Sequence, residues 1–280
     1  MMQKVAILLT CHNRKDLTLK CLSAFYRAKC PDCMTLEVFL VDDGSTDGTS
    51  DAINKNFPDV NIVPGTGNLF WNKGMRLAWE SAVKMKAFDF YVWLNDDTII
   101  DPDGLERLFN CYNHIKANLG EGIVTAACRK EERSAEFSYG GRTENGSVIP
   151  NGEIQECKYI NGNFVLIPKE VYNKVGMNSL DYTHGMGDFD YGLSAQKVGF
   201  KCCTTPHYIA TCPPNEGTPA WSNPNTPIIK RFKLLYSPRG LNFKEYLVFR
   251  KKFWGWKWVV YAAKAYCKVM SPRLYSRLVK

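Results

Sequence analysis

The chain has 280 residues, 45% of them apolar and 23% charged, which suits one large α/β domain with an appendage, or two small domains. The net charge of +8 is segregated: residues 228–280 hold 14 Lys and Arg against one acid, Glu245, leaving 22 basic and 27 acidic groups elsewhere. No apolar run reaches the roughly 18 residues that a membrane-spanning helix needs, which argues against an integral membrane protein.

The eleven cysteines do not read as a disulfide framework, because their number is odd and Cys21, Cys111 and Cys128 fall in apolar segments. The N-terminus enters an apolar strand at once and resembles no signal peptide. A reducing cytoplasm is therefore the expected compartment. The Cys30-Pro-Asp-Cys33 segment has the spacing of a metal or redox pair, but no second pair accompanies it, so a solvated loop and a metal or redox role both stay open.

Strand and helix patterns alternate five times in the first 127 residues, which predicts a parallel sheet with crossover helices on both faces. The predicted strands are 4–10, 36–42, 60–63, 89–94 and 122–127, and the helices are 15–29, 47–56, one ending near 86, and 103–117. Ser45 or Thr46 is the expected N-cap of the second helix. A strand at 163–168 and a helix at 188–198 complete the predicted second half.

We expect one domain over 1–227, divided into a nucleotide-sugar half (1–127) and an acceptor half (128–227), followed by a basic extension at 228–280. Polar clusters follow three strands of the first half, at Cys11 to Arg14, Asp42 to Ser45 and Asn95 to Asp97. Each cluster begins where a predicted strand ends. Ligands of open α/β sheets bind beyond the carboxyl ends of the strands, so the three clusters are expected to share one crevice.

Two of these clusters are acidic. Adjacent carboxylates at Asp96 and Asp97 repel one another, and a divalent cation such as Mg²⁺ or Mn²⁺ would remove that repulsion; the alternative is a plain helix N-terminus. The Asp42-Asp43-Gly44-Ser45 turn could bind a base or ribose through a carboxylate, or it could be a tight turn with local hydrogen bonds.

Taken as an ordered set, these motifs resemble the family 2 glycosyltransferases with the GT-A fold, and especially rhamnosyltransferase-like members that build bacterial surface polysaccharides. The resemblance covers about residues 3–212. The matching segments are Val5–Arg14, Val41–Asp47, Gly67–Gly74, Trp93–Thr98, Asn161–Pro168 and Gly187–Leu193. The implied fold is a Rossmann-like, mostly parallel sheet with helices on both faces, followed by a basic, aromatic helical tail.

The resemblance also implies a donor site. Its nucleotide-sugar contacts would be Thr10, Asn13, Arg14, Asp42, Asp43, Asn68, Trp71, Gly74 and Asp96, with His12 in the pocket wall. Asp42 would contact the base, Asp43 would lie nearer the ribose, and Asp96 would reach the ribose or the metal. Asp97 would be the main ligand of Mn²⁺ or Mg²⁺. Asn95 stands where the family commonly has an Asp, which leaves less charge for the metal.

Sugar transfer with inversion needs a carboxylate that deprotonates the acceptor hydroxyl opposite the leaving diphosphate. Asp188 is the candidate general base, Asp190 is its rival, and a simple helix N-terminal charge is the alternative for Asp188. Asn163 and Asp190 are expected on the acceptor side. His207 stays open between a structural part and a contact with metal or diphosphate.

The tail combines 12 aromatic residues with its 14 cations. Lys257, Lys264 and Lys268 share one helical face. The other face carries Trp258, Tyr261, Ala262, Ala265 and Val269. This pattern favours peripheral contact with an anionic membrane, and the alternative is a helical cap with solvated lysines. No nucleic-acid-binding fold is recognisable, so nucleic acid is not an expected partner.

The sequence thus predicts an inverting, metal-dependent glycosyltransferase acting in cell-envelope polysaccharide biosynthesis. It would use a UDP- or dTDP-sugar, with dTDP-rhamnose among the candidate donors, and a glycan or lipid-linked glycan acceptor. The expected location is cytoplasmic, at the inner face of the cell membrane. Two alternatives remain: a sugar-phosphate nucleotidyltransferase, and a catalytically lapsed transferase that docks on membranes or partners.

Overall fold

The structure, a computed structural model, describes residues 2–214 and 218–278. Its strands are β1 (Gln3–Cys11), β2 (Met34–Asp42), β3 (Asn61–Pro64), β4 (Phe90–Leu94), β5 (Ile99–Ile100), β6 (Gly122–Arg129), β7 (Phe137–Tyr139), β8 (Arg142–Thr143), β9 (Gly146–Ser147), β10 (Gln155–Glu156), β11 (Phe164–Pro168) and β12 (Lys201–Thr211). The helices are α1 (Lys15–Arg27), α2 (Thr49–Asn56), α3 (Phe70–Met85), α4 (Gly104–Leu119), α5 (Lys169–Val175), α6 (Gly187–Lys197), α7 (Ile228–Leu235), α8 (Phe243–Trp254), α9 (Trp258–Met270) and α10 (Pro272–Leu278), with 3₁₀ turns at Ala220–Ser222 and Gly255–Lys257.

One large mixed sheet organises the described chain up to Pro214, in the order β10-β12-β6-β11-β4-β1-β2-β3. The pairs β4-β1, β1-β2, β2-β3 and β6-β12 are parallel, whereas β11 runs antiparallel to both of its neighbours. The ends of β1, β2 and β4 therefore reach one edge of the sheet, since parallel strands end on the same side. This arrangement confirms the expected α/β fold with a mostly parallel central sheet.

The core has two layers because neighbouring side chains of a strand point to opposite faces. Val5 and Ile7 lie in the cluster beneath α1 and α4, and Ala6 and Leu8 lie in the cluster with α3 and α6. The second cluster centres on Trp79, whose ring lies 5.0–5.8 Å from four other aromatic rings. Burying an aromatic ring of this size contributes about 2–3 kcal/mol. Both faces of the sheet are thus covered, as a parallel sheet requires.

The structure departs from the sequence predictions at several elements, among them the short strands β5 and β7–β10 and the helix α5, which were not predicted. The N-cap of α2 is Gly48, so the expectation of Ser45 or Thr46 was wrong; Gly48 adopts a left-handed φ of 78° that glycine tolerates best. Strand β12 was not predicted at all. Pro206 lies inside it and obscures the strand pattern, and the pairing with β6 shifts register between Thr204 and Tyr208 to accommodate the irregularity.

The described chain divides into two compact units. Among the described residues, the first comprises 2–178 together with Asp188–Pro214, and the second joins Ser179–Gly187 to residues 218–278. The predicted bounds of the domain, of its two halves and of the extension stay predictions.

The second unit has its own small core, formed by α7, α8 and α9 around Leu235, Phe243 and Val269. Tyr261, Ala262, Ala265 and Val269 of α9 belong to this core or pack against it. Most of the helix face expected to meet lipid is therefore turned into the protein, because its apolar side chains pack in one core with those of α7 and α8. In the described residues, no helix combines the length and hydropathy needed to traverse a bilayer.

Candidate active site

An acidic turn bridged by one arginine lies at the carboxyl end of β4. The Arg14 guanidinium donates through Nη1 to Asp96 Oδ1 at 2.9 Å and through Nη2 to Asp97 Oδ2 at 2.7 Å. Arg14 follows β1, so this interaction joins the loops after two neighbouring parallel strands. Arg14, predicted as a nucleotide-sugar contact, supplies in the structure the positive charge that offsets the repulsion between the two carboxylates.

The two aspartates differ in their surroundings. Asp96 is buried, and this desolvation raises the pKa of its carboxyl to about 7 even though the neighbouring Arg14 favours the charged form. Asp96 Oδ2 has no hydrogen-bond partner among the described residues. The Asp97 side chain is 24% exposed and can reach a ligand.

A divalent cation fits these residues if it also binds the donor. Mg²⁺ and Mn²⁺ take hard oxygen ligands and complete their shell with water and phosphate oxygens, so one or two carboxylates suffice. The Asp97 side chain is partly exposed, and Asp96 Oδ2 is a buried oxygen without a hydrogen-bond partner among the described residues. Within residues 2–214 and 218–278, however, no three His, Cys, Asp or Glu side chains form a cation cage. The cation would therefore depend on the phosphates of the nucleotide.

The loops after β1 and β2 are fastened to each other. Asn13 donates through its backbone N–H to Ser45 Oγ at 2.9 Å, and its Oδ1 accepts from the Thr46 N–H at 2.7 Å. Asp42 accepts from the Ser45 N–H at 2.8 Å and from the Ser50 hydroxyl. Asn13 has a left-handed φ of 52°, which Asn accepts better than most residues. These bonds fix the shape of the predicted base pocket.

Asp43 fastens the glycine-rich turn that begins α3. Its Oδ1 accepts from the Gly67 N–H at 2.7 Å, and its Oδ2 accepts from Leu69 and Phe70 N–H groups at 2.8 and 3.1 Å. Both carboxylate oxygens are engaged by backbone amides, and the residue is buried. The role in the structure is to cap the first turn of α3 from outside the helix. Asn68, in the same turn, is exposed.

Gly74 and Thr10 mark where α3 crosses close to β1. A Cβ added to Gly74 would lie 2.3 Å from Thr10 Oγ1, so only glycine permits this contact. Near the start of the same helix, Trp71 donates through Nε1 to Asn95 Oδ1 at 2.6 Å. Asn95, the residue that replaces a common acid, thus orients an aromatic side chain beside the acidic turn.

The candidate base, Asp188, lies at the start of α6. Its Oδ2 accepts from the Gly162 N–H at 3.1 Å and its Oδ1 accepts from the Phe189 N–H at 2.8 Å. Burial raises the pKa of Asp188 to about 6 despite these bonds. Gly162 packs against Trp71, where any added Cβ would lie 2.3 Å from the indole ring. Asp188 and Trp71 therefore contact the same short segment.

A continuous set of contacts connects Asp188 to Asp97. Beyond Gly162, the Asn163 carbonyl accepts from the Asn95 N–H at 2.8 Å, and Asn163 Nδ2 donates to Cys212 Sγ at 2.9 Å. The Cys212 thiol donates to Asp97 Oδ1 at 3.6 Å. Burial raises the pKa of Cys212 to about 12, so it is a neutral thiol here. Cys212 was not predicted as a site residue, because it follows β12, a strand whose pattern Pro206 obscures.

The surroundings of two further candidates, Asp190 and His207, differ from those of Asp97 and Asp188. Asp190 is buried and accepts from the Ser194 hydroxyl at 3.3 Å, a bond within α6. His207 lines a surface cavity with Arg107, Arg129 and Tyr208, which contains none of the predicted donor-site residues.

The family model of "Glycosyl transferase family 2" matches residues 6–172, which is more than half of the chain. The chain belongs to glycosyl transferase family 2. Two curated relatives, both poly-beta-1,6-N-acetyl-D-glucosamine synthases of Staphylococcus epidermidis, are 26% identical over 181 residues, covering 61% of this chain and 41% of theirs. The chain thus spans about two-fifths of the length of these relatives.

Three solved structures show the same fold, GT-A-like, at low identity. A mannosyltransferase from Pyrobaculum calidifontis, PcManGT, in complex with GDP-Man and Mn²⁺, has a TM-score of 0.56 and 18% identity and covers 100% of this chain and 79% of its own. S. aureus TarS with UDP has a TM-score of 0.55 and 13% identity, with shares of 75% and 60%. GalNAc-T7 with UDP, GalNAc and Mn²⁺ has a TM-score of 0.57 and 12% identity, with shares of 76% and 44%.

We expect Asp43 to stabilise the folded state of this family 2 chain by accepting hydrogen bonds from the turn before α3. Asp43→Ala would leave three backbone N–H groups without their acceptor and lower the free energy of unfolding by about 2–4 kcal/mol, measured by urea denaturation. Asp103→Ala is the matched control, since this exposed acid supplies no cap hydrogen bond to α4. Unchanged stability of Asp43→Ala together with weaker nucleotide binding would assign Asp43 to the ligand instead.

Proposed function

We propose that this glycosyltransferase is inverting and metal-dependent, and that it transfers a sugar from a nucleotide-sugar to a hydroxyl of a glycan or lipid-linked glycan. The observation that supports the proposal is the set of contacts through Asn95, Gly162 and Asn163, which connects the acidic turn at Asp97 to the carboxylate of Asp188. In this proposal, residues of one hydrogen-bond network would supply the two requirements of inversion, a group that holds the diphosphate and a base on the acceptor side.

In the proposed reaction, Asp188 acts on the acceptor, and the pair Asp96 and Asp97 acts on the leaving diphosphate. Asp188, as its carboxylate, takes the proton of the acceptor hydroxyl; the acceptor oxygen bonds to the anomeric carbon as the bond to the nucleoside diphosphate breaks, with inversion. Asp97, with Asp96 behind it, would hold the Mn²⁺ or Mg²⁺ that neutralises the departing diphosphate. Arg14 pairs with both aspartates of the acidic turn and contributes a fixed positive charge.

For the donor we propose a UDP- or dTDP-sugar, with dTDP-rhamnose among the candidates, used in polysaccharide biosynthesis. Two of the three solved neighbours contain UDP, and two contain Mn²⁺. The curated relatives are synthases of an N-acetylglucosamine polymer. Asp42, Asn13 and the loops around them would form the base pocket. A hydrolysis screen over UDP-, dTDP- and GDP-sugars tests this choice, and turnover of GDP-sugars alone would overturn it.

Asp97→Asn should abolish the metal dependence of nucleotide binding, because it removes the accessible charged ligand. In calorimetric titrations with UDP and dTDP, Mn²⁺ should strengthen binding to the unmodified protein by about tenfold or more and leave Asp97→Asn unaffected. Asp103→Asn, which removes an exposed acid outside the site, should behave as the unmodified protein. Equal metal enhancement in Asp97→Asn would remove Asp97 from the proposed metal site.

The pH dependence of sugar transfer should report Asp188. Because its raised pKa is about 6, the base is protonated and inactive below that pH, and kcat/KM should rise to a plateau above it. Asp188→Asn should lower kcat by about 10²–10⁴-fold and remove this limb from the residual rate. Asp96 also has a pKa near 7. A limb that persists unchanged in Asp188→Asn would therefore assign the titration to Asp96 and reject Asp188 as the base.

We further propose that the C-terminal unit contacts an anionic membrane, which would place the enzyme at the inner face of the cell membrane. Because much of the predicted face of α9 is packed inside the unit, we place the proposed membrane contact on the exposed side of α9 and the turn before it. Trp256, Val259 and Val260 are 75%, 54% and 46% exposed, and Lys257 and Lys264 flank them. Exposed apolar groups beside lysines favour an interface with acidic lipids.

Trp256→Ser combined with Val260→Ser should weaken binding to vesicles of phosphatidylcholine and phosphatidylglycerol by about tenfold or more, since two apolar side chains no longer enter the interface. Cosedimentation measures this change. Leu180→Ser is the control, because Leu180 is 63% exposed in the same unit but belongs to no basic, aromatic helix. If the control weakens binding as much as the double variant, or if neither changes it, the proposed surface is wrong.

A further inference from the structure

A basic cavity lies within the C-terminal unit, among residues that the sugar-transfer mechanism does not use. It has a volume of 490 Å³ and is lined by Pro224, Arg231, Ser271, Pro272, Arg273, Leu274 and Arg277. Three of its seven lining residues are arginines, and none is acidic. The cavity is therefore strongly positive.

Arg231 is the most informative of the three. It lies on α7, whose Leu235 is part of the small core, and it is only 8% exposed. Its Nε and Nη1 atoms are buried without a hydrogen-bond partner in the described residues. Arginine stays charged at every physiological pH, so a buried guanidinium with unused donors is energetically unfavourable unless an anion binds to it.

Carboxylates are scarce in the described part of the C-terminal unit, and one of them, Asp181, accepts from the Ser179 hydroxyl at 2.9 Å. Across residues 218–278, Glu245 is the single acid, and its two oxygens accept from the backbone N–H and the hydroxyl of Thr183 at 2.9 and 2.6 Å. Arg273 and Arg277 are exposed residues four positions apart on α10, so they share a helical face at the cavity. Like charges so placed repel one another, and a bound anion would offset that repulsion.

We propose that this cavity binds a phosphate group, which Arg231 holds from inside and Arg273 and Arg277 hold from the solvent side. A phosphate has several acceptor oxygens and at least one negative charge, and the planar fork of arginine matches it well. The Ser271 side chain adds a hydroxyl at the rim. The phosphate can come from a phospholipid headgroup or from a free phosphate, and both present the same chemistry. The site stands independently of sugar transfer and of the Trp256 surface.

The test measures binding of the full-length protein to inorganic phosphate by calorimetry, and to vesicles of phosphatidylcholine with or without phosphatidylglycerol by cosedimentation, at one fixed salt concentration. Arg231→Gln is compared with Lys230→Gln, its exposed neighbour on α7. Because Arg231 is buried, Arg273→Gln combined with Arg277→Gln provides a second variant, matched by Lys230→Gln combined with Lys244→Gln. Thermal unfolding and donor hydrolysis report whether each variant folds.

A lipid headgroup site predicts that the arginine variants bind phosphatidylglycerol vesicles about tenfold or more weakly than the lysine controls, since charge-assisted hydrogen bonds are lost. A free phosphate site predicts the same loss in calorimetry with inorganic phosphate, with vesicle binding unchanged. If Arg231→Gln does not fold, the Arg273 and Arg277 double variant decides. Equal losses in arginine variants and lysine controls would indicate diffuse charge and overturn the proposal, as would an unmodified protein that binds neither probe.

Discussion

The candidate site depends on the neutralisation of two adjacent carboxylates by one arginine. Asp96 and Asp97 follow a fully buried strand, and without a positive partner their repulsion and desolvation would oppose folding of that turn. Arg14 meets both of them from the loop after the neighbouring strand. The same contact holds two strand ends in register with each other, so that the electrostatics of the site and the geometry of the sheet edge are stabilised together.

The other loops of the site are held by side chains that bond to backbone amides. Asp43 orders the turn before α3, and Asn13 joins the loops after β1 and β2. A binding site built from such loops is formed before the ligand arrives, which reduces the entropy lost on binding. Asp97 differs from Asp43 because one of its oxygens faces only a weak thiol donor, Cys212, and its side chain remains accessible. It is the acid that a ligand can engage.

The C-terminal unit has a different character. Residues 228–280 hold 14 basic residues against one acid, whereas the rest of the chain is net negative, and the small core of the unit uses the aromatic side chains of three helices. Arg250 lies 4.1–5.6 Å from four aromatic rings of this unit, so part of the positive charge is stabilised by ring faces rather than by carboxylates. Arg231 differs, because its Nε and Nη1 atoms are buried without a hydrogen-bond partner in the part of the chain that the structure describes.

The sequence by itself determined the alternation of strands and helices, the parallel sheet and the polar clusters at three strand ends, because hydrophobic period and turn residues are local properties. The tertiary structure decided which polar atoms of those clusters already have hydrogen-bond partners. Only the folded chain shows that the oxygens of Asp43 accept hydrogen bonds from backbone amides and that the Cys212 thiol contacts Asp97. It also shows that His207 lines a surface cavity and that Ala265 is buried in the small core of the C-terminal unit. Such contacts join residues far apart in the chain, and no local pattern encodes them.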